Sequence, residues 1–177
     1  SELAAGEETS QEGLALDYAT AWSYGRAESW NLLIPDFMGG DSGRAFTRDG
    51  EMAKALKPYG LESFAEQLPA YWGEQPYTAG PTYLGAAALF LALLGLLLAS
   101  GRNKWWIAAV SLLTLLLAWG HNFMGFTEFA FKYLPGYNKF RTVSMALVVV
   151  EWTVPLLAAL ALMPLWRGEV PRRKLLR

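Results

Sequence analysis

Three groups of residues carry types and spacings that could do chemistry. The first is a cationic cluster, Asn138, Lys139 and Arg141, set directly before the apolar run Thr142–Trp166. Upstream lie His121, Asn122 and Lys132, among Phe123, Phe126, Phe129 and Phe131. Cations at a lipid–water boundary can hold a phosphate, and arginine does so through two parallel hydrogen bonds. The same residues can equally snorkel and anchor a helix end, and both readings stand. For His121, the single histidine, the interfacial role comes before the catalytic one. The second group is Glu151, ten residues beyond Arg141 and so about 15 Å along a helix. A carboxylate at that depth costs a few kcal/mol in lipid. Pro155, four residues on, lacks the N–H that would bond the carbonyl of residue 151. Glu151 is therefore either a proton-relay or substrate group, or a polar tie to another helix, and the second role is the expected one. The third group lies in Asp17–Gly40. There Trp22, Tyr24 and Trp30 could stack on sugar faces while Arg26, Glu28 and Asp36 bond hydroxyls. Aromatic residues at a membrane surface need no such purpose.

Composition narrows the chemistry. Cysteine is absent, which excludes disulfides and thiolate sites, and one histidine argues against an ordinary zinc site. No cofactor is evident, and a divalent metal stays open. Nucleotide-binding glycine loops, nucleophile elbows and paired-histidine metal motifs do not occur. Residues 1–80 hold 13 of the 16 acids and five of the 15 bases, a net of −8; residues 81–177 hold the other three acids and ten bases, a net of +7. That division marks two regions rather than a nucleic-acid surface, which joins a basic face to base-stacking groups.

The elements that must position these groups read as membrane helices. Tyr83–Ser100, Trp105–Gly120 and Thr142–Trp166 are apolar runs close to the length a bilayer needs, the last interrupted only by Glu151. The expected fold is therefore all-α and integral to a membrane: three transmembrane helices (about 83–100, 105–120 and 142–166) of a larger polytopic bundle. A mostly helical, loop-rich extracytoplasmic segment, residues 1–80, precedes the membrane region 81–177. Arg102 and Lys104 in one turn, and the basic tail 167–177, place 101–104 and 167–177 in the cytoplasm. Residues 1–80 and the loop 121–141 then lie outside. Gly85, Ala88, Ala92, Gly95 and Ala99 form a small-residue stripe suited to close helix contact. Ser111 and Thr114 are placed to bond a neighbouring helix. Neither end reads as a natural terminus, so the chain is expected to be part of a longer protein.

Four stretches carry a family likeness: YATAWSYGRAESWNLLIPDFMGG, YWGEQPYTAGPTYLGA, LLAWGHNF and LPGYNKFRTVSMALVVVEWTVPLLA. In this order, from Asp17 to Leu176, they resemble the YfhO-type bacterial membrane proteins, in the versions typical of Bacteroidetes-like organisms. The resemblance implies a polytopic glycosyltransferase of the GT-C type in the bacterial inner (cytoplasmic) membrane. Such an enzyme moves a sugar from a polyprenyl-phosphate donor to a cell-envelope acceptor on the outer face. It implies partners in the bilayer, the lipid-linked sugar and further helices of the same chain. It places the catalytic carboxylate in an early outer loop outside this sequence, so the chain alone is expected to be inactive. By the same resemblance Arg141, with Lys139 and Asn138, stands near the donor phosphate. His121, Trp22, Tyr24, Glu28 and Asp36 are the other candidate substrate contacts. Two alternatives stay open: a transporter or flippase with Glu151 as coupling group, and a non-catalytic scaffold for envelope assembly.

Overall fold

The computed structural model describes residues 14–168, so residues 1–13 and most of the expected basic tail lie outside it. The described residues are mostly helical, with no strand and two isolated antiparallel bridges. In chain order the α-helices are α1 (Leu16–Thr20), α2 (Glu51–Leu56), α3 (Ala86–Leu98), α4 (Asn103–Ala118), α5 (Met124–Tyr133) and α6 (Leu147–Trp166). Short 3-10 turns link them, among them Ala27–Leu32, Glu62–Gln67 and Val143–Ala146.

Alanine and leucine, strong helix formers, fill α3, yet it is only 13 residues long. The sequence suggests an earlier start, near Tyr83. Instead Leu84 N–H donates to Leu32 C=O at 3.2 Å, and Gly85 takes a positive φ of 92°, which holds the chain extended up to Ala86. The helix is thus about 20 Å long, short of the roughly 30 Å hydrocarbon core of a bilayer. At its other end Lys104 Nζ donates to Leu96 C=O at 2.6 Å, satisfying one of the terminal carbonyls.

Val143–Trp166 runs as one 24-residue helical stretch of mean hydropathy 2.1. It is the one helix among the described residues long and apolar enough by itself to cross a membrane. Pro155 and Pro164 lie inside α6 without ending it. The second expected crossing takes another form. Asn103–Ala118 and Gly120–Tyr133 meet at 112°, so the apolar run of α4 bends sharply into α5, a helix within the stretch expected to be a loop.

α6 packs against both α3 and α4, which touch each other far less. Gly95 makes the α3–α6 contact: a Cβ there would collide with the Leu157 carbonyl. Ala92, Ala99 and Ala161 are buried around it. Ser111 Oγ donates to Thr153 Oγ1 at 2.7 Å, tying α4 to α6, whereas Thr114 Oγ1 turns back to Val110 C=O. Apolar side chains also cover the outward faces, from Phe90 and Leu112 to Trp152, which is 77% exposed. These helices are apolar all round, a pattern that suits lipid or neighbouring helices better than water.

Candidate functional site

The bend after α4 frees carbonyls, and the N-terminal segment and the residues after the bend each supply donors that satisfy them. Tyr24 N–H donates to Ala118 C=O at 2.8 Å, and Tyr137 Oη–H to Leu117 C=O at 2.9 Å. Thr127 Oγ1 donates to Gly120 C=O at 2.7 Å, and Arg26 Nη2 to Asn122 C=O. Gly120 has a φ of 46°, and a Cβ there would overlap Ser23. Burial pushes the Tyr137 hydroxyl up to about 12, because the phenolate would lose water in that pocket. The bend is thereby locked to α1 and the turn after it.

The cationic cluster sits beside this lock. Arg141 and Lys139 are exposed, and the Arg141 guanidinium lies over the Tyr18 ring of α1 at 5.6 Å. Asn138 is half-buried, and its carbonyl accepts the Leu14 N–H at 2.9 Å. The cluster's chain neighbours Tyr137, Phe140 and Thr142 line an apolar cavity of about 220 Å³ at the start of α6, together with Leu134, Met145 and Val148 among others. His121 flanks the other end of α1: its N–H donates to Ser23 Oγ at 2.9 Å, and Nδ1 lies 3.2 Å from Thr20 C=O. These contacts make His121 a docking residue for α1.

The third group divides. Trp22 is exposed, but Tyr24 and Glu28 are walled in, each 1% exposed, and present nothing to a sugar. Glu28 is the centre of a buried polar knot. Its Oε2 accepts Gly25 N–H at 2.5 Å, and its Oε1 accepts the Tyr71 hydroxyl. Tyr24 Oη–H donates to the Glu28 backbone carbonyl at 2.7 Å. Gly73 leaves the knot its space, since a Cβ there would overlap the Glu28 carboxylate and the Tyr71 ring. Burial, and then the adjacent Glu28 carboxylate, raise both tyrosines well above the ordinary range. Asn31 Oδ1 accepts Met38 N–H at 2.9 Å. The buried Nδ2 of Asn31 has no hydrogen-bond partner among the described residues.

Asp36 stands beyond the knot, in a cleft of about 370 Å³. It is the one non-glycine residue with positive φ (53°) among the described residues. Its carboxylate is 3.9 Å from Arg44 Nη1, both groups more than half exposed. Trp72 and Phe46, with ring centroids 5.9 Å apart, and Thr47 complete the walls. Tyr71, Arg44 and Phe46 are not legible as site residues in the sequence, where Trp72 reads only as one more interfacial aromatic. The one signal is glycine: Gly39 and Gly73 both sit where no side chain fits.

Glu151 is exposed on α6, outside the buried seam of Val150, Val154 and Leu157, with no hydrogen bond or ion pair among the described residues. No group of three or more His, Asp or Glu side chains is placed to hold a metal among them. No family model, curated protein or solved structure matches the chain.

Proposed function

We propose that the chain forms part of a polytopic membrane glycosyltransferase that takes its sugar from a polyprenyl-phosphate donor at the outer surface of a bacterial inner membrane. The observation that carries this reading is the pairing of exposed Lys139 and Arg141 with the apolar cavity at the head of α6. A prenyl phosphate needs both chemistries side by side: cations for the phosphate and an oil-like recess for the first isoprene units. Tyr18 supports the Arg141 guanidinium from one face, so its N–H edge is oriented rather than free to wander.

The membrane setting draws support from the outward apolar faces of α3, α4 and α6. In this reading α6 crosses the bilayer, α4 and α5 form a broken span, and α3 together with the extended residues before it carries the chain from the outer side to the 101–104 turn. The lysine and arginine of the 101–104 turn stay in the cytoplasm. Glu151 is exposed because its partner is a donor on another helix, so it acts as a polar tie. The test is Arg141→Ala in the full-length protein. Sugar transfer should be lost while expression and membrane insertion survive. Full activity in that variant would remove the phosphate clamp.

A further inference from the structure

We infer that the cleft between Met38–Thr47 and Ala70–Trp72 is a binding site for a neutral saccharide. The inference deepens the proposed function by naming a ligand class for the acceptor side. It rests on that reading for the sugar's role alone, because binding in the cleft does not involve Lys139 or Arg141.

The cleft is prebuilt. Two antiparallel bridges, Gly39 with Tyr71 and Ala45 with Pro69, clamp the glycine-rich loop to the segment bearing Trp72. Gly40 N–H donates to Ala70 C=O, Ala70 N–H to Arg44 C=O and Trp72 N–H to Met38 C=O, all between 2.9 and 3.1 Å. At Gly39 a Cβ would meet the Ala70 carbonyl, so the two strands of chain approach as closely as backbones can. Behind Trp72, the neighbouring Tyr71 hydroxyl is anchored on buried Glu28. The knot thus has a purpose that its burial alone does not supply: it fixes the residue next to the exposed indole. Preorganisation of this kind lowers the ordering cost of binding.

The chemistry fits a sugar. Trp72 is 58% exposed and forms an aromatic wall, a flat apolar face against which the C–H face of a pyranose can lie. Asp36 and Arg44 reach in from the loop, and at 3.9 Å they leave most of each other's hydrogen-bonding capacity unused. A carboxylate offers acceptors to two neighbouring hydroxyls, and a guanidinium offers five donors. One negative and one positive group make the local charge balanced, which favours a neutral ligand over a phosphate or an acidic sugar. A cavity of about 370 Å³ lies within the range of small-molecule sites, about 300–1,000 Å³. Asp36 keeps a left-handed backbone that aspartate tolerates better than most residues.

The experiment is saturation-transfer NMR on the protein in nanodiscs, with cellotetraose, chitotetraose and mannotetraose as neutral probes and a polygalacturonate tetramer as the acidic one. At least one neutral probe should bind. Trp72→Ala and Asp36→Asn should each weaken it by about tenfold or more, the loss of one strong contact, and Trp72→Phe should restore part of the binding. Arg141→Ala should leave it unchanged, so failure of the cleft and failure of the phosphate clamp read out separately. Binding of no neutral probe, preference for the acidic tetramer, or undiminished binding in either Trp72→Ala or Asp36→Asn would overturn the inference.

Discussion

Replacing Gly95 with alanine adds one methyl group, and the structure says where it goes. Its carbon would fall well inside 3.0 Å of the Leu157 carbonyl oxygen, with the Leu157 carbonyl carbon at 3.1 Å and the Ala161 nitrogen at 3.5 Å. All three are backbone atoms of α6, so no side chain can swing aside and the two helices must separate. Ala92 and Ala161, both buried in the same seam, then lose contact with it. Overpacking of this kind costs about 1–3 kcal/mol. That outweighs the roughly 0.5–1 kcal/mol by which alanine favours a helix interior over glycine. Gly125 in α5 is the control, because a Cβ there meets nothing within 4 Å. Gly95→Ala should therefore lower stability by a net of up to about 2.5 kcal/mol, measured by denaturant titration in micelles, and Gly125→Ala should leave it equal or slightly higher. Gly95→Ala as stable as the parent would refute the claim that α3 and α6 meet backbone to backbone.

Other consequences can be checked by similar means. Tyr71→Phe strips Glu28 Oε1 of its donor and should destabilise the fold by about 1–3 kcal/mol, with a change in Trp72 emission. A double-mutant cycle of Ser111→Ala and Thr153→Ala should give a coupling of about 0.6 kcal/mol, the average measured for side-chain hydrogen bonds between helices in a membrane protein; zero coupling would remove that bond. The folded state favours neutral Tyr137, whose hydroxyl rises from 10.0 to about 12. Its contribution is thus complete below pH 10 and is lost as pH climbs towards 12. Alkaline melting curves should show a fall to which Tyr24 and Tyr71 also contribute, and Tyr137→Phe should make it shallower while costing the bond to Leu117.

What the sequence reveals follows the range of the interaction. Continuous apolar runs mark α4 and α6 without ambiguity, and the small-residue stripe points to Gly95. Ser111 and Thr114 look equivalent in sequence, but only Ser111 faces Thr153. The late start of α3 depends on Leu84 reaching the Leu32 carbonyl, a contact across 52 residues that no local propensity encodes. α5 is hidden because its phenylalanines suit a surface loop as well as a helix. Glu28 looks like a surface acid in sequence, since the hydroxyl that buries it belongs to Tyr71, 43 residues away. Asp36 is nameable from sequence, yet its cleft depends on the bridges that bring Trp72 alongside.

Lipid binding tests the central claim most directly. The protein in detergent would be offered a polyprenyl phosphate and the matching polyprenyl alcohol, and both complexes counted by native mass spectrometry. The tail is common to the two, so any difference belongs to the phosphate. The account predicts that the phosphate binds more tightly, and that Arg141→Ala with Lys139→Ala removes that advantage, about tenfold or more, while binding of the alcohol is unchanged. Equal binding of alcohol and phosphate by the unaltered protein would contradict it.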